Sequence, residues 1–165
     1  MKASTFYSIL TIFFALILTA CGGSSGSSDE ETTAQGLFLD SAVQGLKFES
    51  GGTAGFTSST GVFEYQIGQT VTFSLGDVII GSAQGGAIIT PIDLVPNALD
   101  ETDSTVVNIL RFLQTIDDDG DTSNGILITQ TMRDLAVGVT INFKLSLDDF
   151  ANNGDVQTLV SELTA

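Results

Sequence analysis

The chain contains no histidine, one cysteine, no tryptophan, two prolines and only five lysines and arginines. Without histidine there can be no Ser-His-Asp or Cys-His nucleophile machinery. Neither Lys47 nor Lys144 completes a Ser-x-x-Lys pair, because Gln44 and Ile141 stand where the serine would be. No glycine-rich loop passes from strand to helix with a lysine behind it, so the pattern of a nucleotide-phosphate site is missing. Sparse cations also exclude nucleic acid as a partner, since phosphate binding needs clustered Lys and Arg. A lone cysteine permits no disulfide within the chain. Zinc is disfavoured for want of imidazole and thiolate ligands. The 20 acids offer many carboxylate pairs of the kind glycosidases use, but none is singled out.

What is present begins at the N-terminus. Lys2 supplies a positive charge, and Phe6 to Ala20 form an apolar run of fifteen residues. A membrane-spanning helix needs about 20, so the run reads as the hydrophobic region of a signal peptide over residues 1–20. It ends in "LTAC", Leu18 to Cys21. This tetrapeptide resembles the bacterial lipobox, which implies that Cys21 is diacylated on sulfur, becomes the mature N-terminus and is acylated again on its amine. Three chains exceed the two signals that stable anchoring takes, at about 0.8 kcal/mol per buried CH₂. Gly22 rather than aspartate follows the cysteine, which under the sorting preference of enteric-type bacteria implies the outer membrane. The predicted location is therefore the bacterial cell envelope. The mature chain keeps four cations against all 20 acids, a net charge of −16.

Residues 21–35 carry "GGSSGSSDEETTAQ", which is Gly/Ser-rich, acidic and without apolar periodicity. They predict a flexible tether with a reach of roughly 20 Å. "GGSSG" matches an esterase nucleophile pattern, but no strand and helix flank it as that pattern requires. Residues 36–165 are long enough for one domain with its own core. The expected class is α+β. A β-rich first half, an antiparallel meander and sandwich-like, is followed by a helix, an Asp-rich loop and short helices.

In residues 61–81, Phe63, Tyr65 and Ile67 alternate with polar residues, as do Val71, Phe73 and Leu75. Such alternation predicts half-buried strands. Gly68-Gln69 and Gly76-Asp77 would join three of them through type II′ turns. "GLFLD", "GLKFES" and "GGAIIT" add short strands, and "GGTAGFTSST" reads as a glycine-rich connection. "TPID" predicts one helical turn capped by Thr90 and ending before Pro96. "DSTVVNILRFLQTI" predicts a helix capped by Asp103 or Ser104. Val106, Ile109, Leu110, Leu113 and Ile116 form its apolar face, opposite a polar stripe of Ser104, Asn108, Arg111 and Thr115. A strand at "ILIT", a helix near 131–136, a strand through "VTINF" and two helices after Ser146 and Asp155 complete the chain. The last helix meets the terminus without a glycine cap, which leaves open a frayed end or a longer parent chain.

"TIDDDGDTSNG", residues 115–125, places Asp117, Asp118, Asp119 and Asp121 where the helix ends. Anions at a helix C-terminus cost about 0.3–1 kcal/mol each, and neighbouring carboxylates repel one another. A bound cation would reverse both terms. Alternating carboxylates are the spacing a Ca²⁺ loop uses, and Asn124 could add a carbonyl oxygen. The predicted calcium ligands are Asp117, Asp119, Asp121 and Asn124. An EF-hand proper does not fit, because Thr122 or Asn124 occupies its glycine position and Gln130 its final glutamate. Mg²⁺ suits an all-protein cage less well. The alternative is a solvated acidic turn, with Asp and Gly there for turn chemistry alone.

The ordered motifs "FLDSAVQGLKF", "TGVFEYQIGQTVTFSLG", "ITPIDL" and "VVNILRFLQTIDDDGDTSNGI" resemble a domain of exported bacterial surface proteins and lipoproteins. There it often stands before esterase-like or adhesin-like regions. The "GVFEY" segment also looks like transthyretin-like sandwich modules of carboxypeptidases and adhesins. The resemblance covers most of residues 36–130 and implies no activity for the domain itself. Together with the missing catalytic machinery and the acidic loop, it leaves a non-catalytic surface module, calcium-stabilised, that binds a protein or glycan or spaces other domains from the membrane. The alternative it leaves is an accessory N-terminal domain of a larger secreted hydrolase of esterase or lipase type.

Overall fold

Two glycine turns decide how the strands divide. The computed structural model describes residues 33–39, 41–121 and 123–165, so the apolar run, Cys21 and most of the expected tether lie outside the described residues. Strands β5 (Val62–Gln66) and β6 (Thr70–Leu75) are joined by a turn closed from Gln69 N–H to the Gln66 carbonyl. Gly68 is its second central residue, at φ +83°, the position where a type II turn requires positive φ. Turns of that hand splay the flanking strands. Accordingly β5 and β6 enter different sheets, and the expected three-stranded meander is not formed. Between β6 and β7 (Val78–Gln84) the order is reversed. Gly76, the first central residue, sits at φ +53° and Asp77 is not left-handed, which matches the expected type II′ hairpin.

One sheet has the order β5-β1-β8, with β1 at Thr33–Phe38 and β8 at Ile88–Ile89. β1 runs antiparallel to β5 and parallel to β8. Because Thr33 to Gln35 pair with Gln66 to Glu64, the fold takes in the last three residues of the expected tether. The other sheet has the order β4-β3-β6-β7, with β3 at Lys47–Ser50 and β4 at Thr53–Phe56. β4 lies in the segment expected to be only a connection. Its Gly55 sits under the Phe48 ring, which covers the face a side chain would otherwise fill. Rings from both sheets meet in the interior: Phe38 lies 4.8 Å and Phe63 5.1 Å from Phe73, centroid to centroid. Buried side chains of this size contribute about 1.5–3 kcal/mol each.

The second half is helical, as the α+β class requires. Thr90 and Asp93 close the single expected turn, with both Thr90 N–H and hydroxyl donating to Asp93 Oδ2. Helix α1 (Ser104–Thr115) is capped by Asp103 Oδ1, which accepts from Thr105 and Val106 N–H. It buries Val106, Ile109, Phe112 and Leu113. Asn108, expected on the polar stripe, is fully buried and donates to the carbonyls of Phe143 and Leu145. The "VTINF" segment is correspondingly not a strand. Ile141 and Phe143 alternate inward as expected, but a side-chain amide from α1 takes the neighbouring carbonyls instead of a sheet edge. Helices α2 (Gln130–Leu135), α3 (Leu147–Ala151, capped by Ser146) and α4 (Gly154–Leu163) follow. Among the described residues no helix is long and apolar enough to cross a membrane.

Candidate functional site

The acidic loop leaves α1 at Ile116, whose N–H bonds back to the Phe112 carbonyl. It returns as β9 (Ile126–Leu127), which pairs in parallel with β2 (Val43–Gln44). The loop is thus held at both ends, by a helix turn and by a two-residue ladder. Ile126 N–H donates to the Ala42 carbonyl and Ile128 N–H to the Gln44 carbonyl. Gly125 packs directly on the Ala42 carbonyl, with no room for a side chain.

Each predicted ligand has a definite place. Asp117 Oδ1 accepts from Leu127 N–H at 2.8 Å, while Asp118 N–H donates to the Leu127 carbonyl. This ring fastens the first aspartates to β9. Asp119 Oδ1 accepts from Asp121 N–H, and its Oδ2 accepts from Asn124 Nδ2 at 2.9 Å. Asp121 Oδ1 accepts from both the amide and the hydroxyl of Ser123. The Ser123 hydroxyl, and then its amide, hold the Asp121 carboxyl below the usual carboxylate range. Aspartate side chains closing turns two residues on are the expected behaviour of Asx turns.

The structure brings Asp119, Asp121 and Asn124 into one connected loop, with Asp117 turned inward toward β9. One oxygen has no bond: Asp117 Oδ2 is buried and without a hydrogen-bond partner among the described residues. A buried unpaired carboxylate oxygen is costly unless something positive meets it. The donors are all hard oxygens, the chemistry that Ca²⁺ selects. Among the described residues, however, no three acids or cysteines converge on a common point. A cleft of about 160 Å³ opens beside the loop, lined by Asp119 and Asn124 together with Gln44 and Ser59.

On the far end of β9 stands a residue that sequence reasoning passed over. Arg133 donates through Nη1 to the carbonyls of Gly45 and Ile128, and through Nη2 to Gln130 Oε1. Its guanidinium lies 4.2 Å above the Phe56 ring. It fastens the β2–β3 corner to the β9 exit with no carboxylate partner among the described residues. Nothing in the local pattern around position 133 announces a contact 88 residues away.

No family model, curated protein or solved structure matches this chain.

Proposed function

We propose that the chain is a non-catalytic, lipid-anchored module of the bacterial envelope whose acidic loop takes up Ca²⁺, and which binds a partner or spaces one from the membrane. The observation that carries the anchor is "LTAC" closing an apolar run too short to span. It is supported by β1 beginning at Thr33, only twelve positions after Cys21. The calcium part rests on the buried, unpartnered Asp117 Oδ2 at the negative end of α1. Asp117, Asp119, Asp121 and the Asn124 carbonyl would hold the ion, with Asp119 and Asp121 sharing oxygens already used in turns. A carboxylate oxygen has two lone pairs and can serve both.

Metabolic labelling with palmitate tests the anchor. The full precursor is expected to incorporate label, and Cys21→Ser to abolish it. Label retained by the Cys21→Ser chain overturns the lipoprotein reading.

A further inference from the structure

The four cations beyond the apolar N-terminal run are placed unequally. Lys47 pairs with Glu49, and Arg133 is occupied by carbonyls and the Phe56 ring. Lys144 forms no salt bridge among the described residues, and neither does Arg111, in a chain with 20 acids. Arg111 stands at the rim of a groove of about 230 Å³ between α1, α3 and α4. The groove floor is apolar: Phe112, Phe150, Val156 and Val160. The two floor rings are braced by Phe143, whose centroid lies 5.4 Å from Phe112 and 5.5 Å from Phe150. The floor is therefore set before any ligand arrives.

We propose that this groove binds an alkyl monocarboxylate, a fatty acid of medium length, with its carboxylate on Arg111 and its chain along the floor. The guanidinium fork matches a carboxylate with two parallel hydrogen bonds. An alkyl chain suits the walls because it needs no polar partner. A peptide would carry a donor and an acceptor at every residue, while these walls are helices whose amides are already bonded within them. At the rim the Ala151 carbonyl already accepts from Gln157 Nε2. A second copy of the chain would bring its whole net negative charge, whereas a monocarboxylate brings one charge and sets it on Arg111. The groove shares the last turn of α1 with the acidic loop, Thr115 lying two residues before Asp117, but uses none of the loop's carboxylates.

The test is photolabelling of cells that express the full chain, using an alkyne-tagged diazirine derivative of decanoic acid. Labelled positions are then mapped by mass spectrometry. Adducts are expected on residues 111–115 and 150–160, and excess decanoate should compete where decanol does not. Arg111 is exposed, so Arg111→Gln leaves packing alone and should reduce labelling at these segments roughly tenfold. Ala151→Phe, also at an exposed position, should block the groove while Arg111 remains. Adducts that avoid both segments, equal competition by decanol, or unchanged labelling in Arg111→Gln would each overturn the proposal.

Discussion

Asn108 has the same sequence surroundings as a solvent-facing helix residue, and it is fully buried. Its position three and seven residues from Arg111 and Thr115 placed it on a polar stripe. Its environment is instead decided by Phe143 and Leu145, 35 and 37 residues away, whose carbonyls each receive an Nδ2 hydrogen at 3.0 Å. Helical periodicity carries no information about unpaired carbonyls elsewhere in the chain. Asn108→Ala strands both acceptors, at about 1–3 kcal/mol for a buried unsatisfied group. The urea midpoint should fall accordingly. Asn108→Asp should fall further, because it sets a third acceptor against the two carbonyls. A change in the Ala variant no larger than that of a surface substitution, about 0.5 kcal/mol, would show that the amide is not a clamp. Charge at single residues follows the same local logic. Thr102 holds the Asp100 carboxyl low, its hydroxyl first and its amide second, as Ser123 does for Asp121. For carboxyls so lowered, the stabilising contribution is present above the unfolded pKa, about 3.9, and is lost as pH falls through the lower folded value.

At the scale of elements, most strands and helices that local pattern could specify are where the pattern put them. β6 follows the alternation and β5 follows it as far as Tyr65, while Ile67 is an exposed turn residue and Gln66 is buried instead. α1 follows the 3.6-residue stripe and its Asp103 cap, and Ser146 starts α3. Pairing was less legible, because it depends on the hand of two turns that differ by one glycine position. Gly68 sends β5 and β6 apart, whereas Gly76 folds β7 back onto β6. The two glycines should therefore respond differently to substitution. At Gly68 an added Cβ meets open space, so Gly68→Ala pays only for left-handed backbone, about 1–2 kcal/mol. At Gly76 it would stand 2.5 Å from the Arg133 carbonyl and 2.8 Å from the Ala136 carbonyl carbon. Gly76→Ala should cost clearly more and should loosen the contact between the hairpin and α2, including the Asp77 N–H bond to the Ala136 carbonyl. Equal urea midpoints for the two variants would contradict this account. β4 and the 139–143 segment depart from expectation for related reasons. Phe48 supplies the surface that Gly55 of β4 lacks, and Asn108 supplies the partner that a strand at Phe143 would have needed. Neither Phe48 nor Asn108 lies in the segment whose conformation it settles.

For the molecule as a whole the dominant quantity is charge. Four cations against 20 acids after the apolar N-terminal run oppose compaction through self-repulsion, and the acidic loop concentrates that repulsion at one helix end. The sequence marked this loop as the candidate site. What it could not supply was the division of labour within it, in which Asp119 and Asp121 close turns while Asp117 is bonded at one oxygen and bare at the other. If Ca²⁺ meets that bare oxygen, it should raise the melting temperature of the chain. At a concentration 100-fold above Kd the gain is about 2.7 kcal/mol, several degrees for a domain of this size. Asp119→Asn and Asp121→Asn are the informative variants, because an asparagine carbonyl can still accept the turn hydrogen bond while the charge is gone. Both should fold and both should lose the calcium response, whereas Asp29→Asn, ahead of the domain, should keep it. Added salt of any kind screens repulsion among so many acids, so Ca²⁺ must be compared with Mg²⁺ at matched ionic strength. A larger shift with Ca²⁺ that vanishes in the loop variants places the ion at the aspartates. Equal shifts with the two ions, or a calcium response that survives both substitutions, would reduce the loop to a solvated turn whose carboxylates serve only its own backbone.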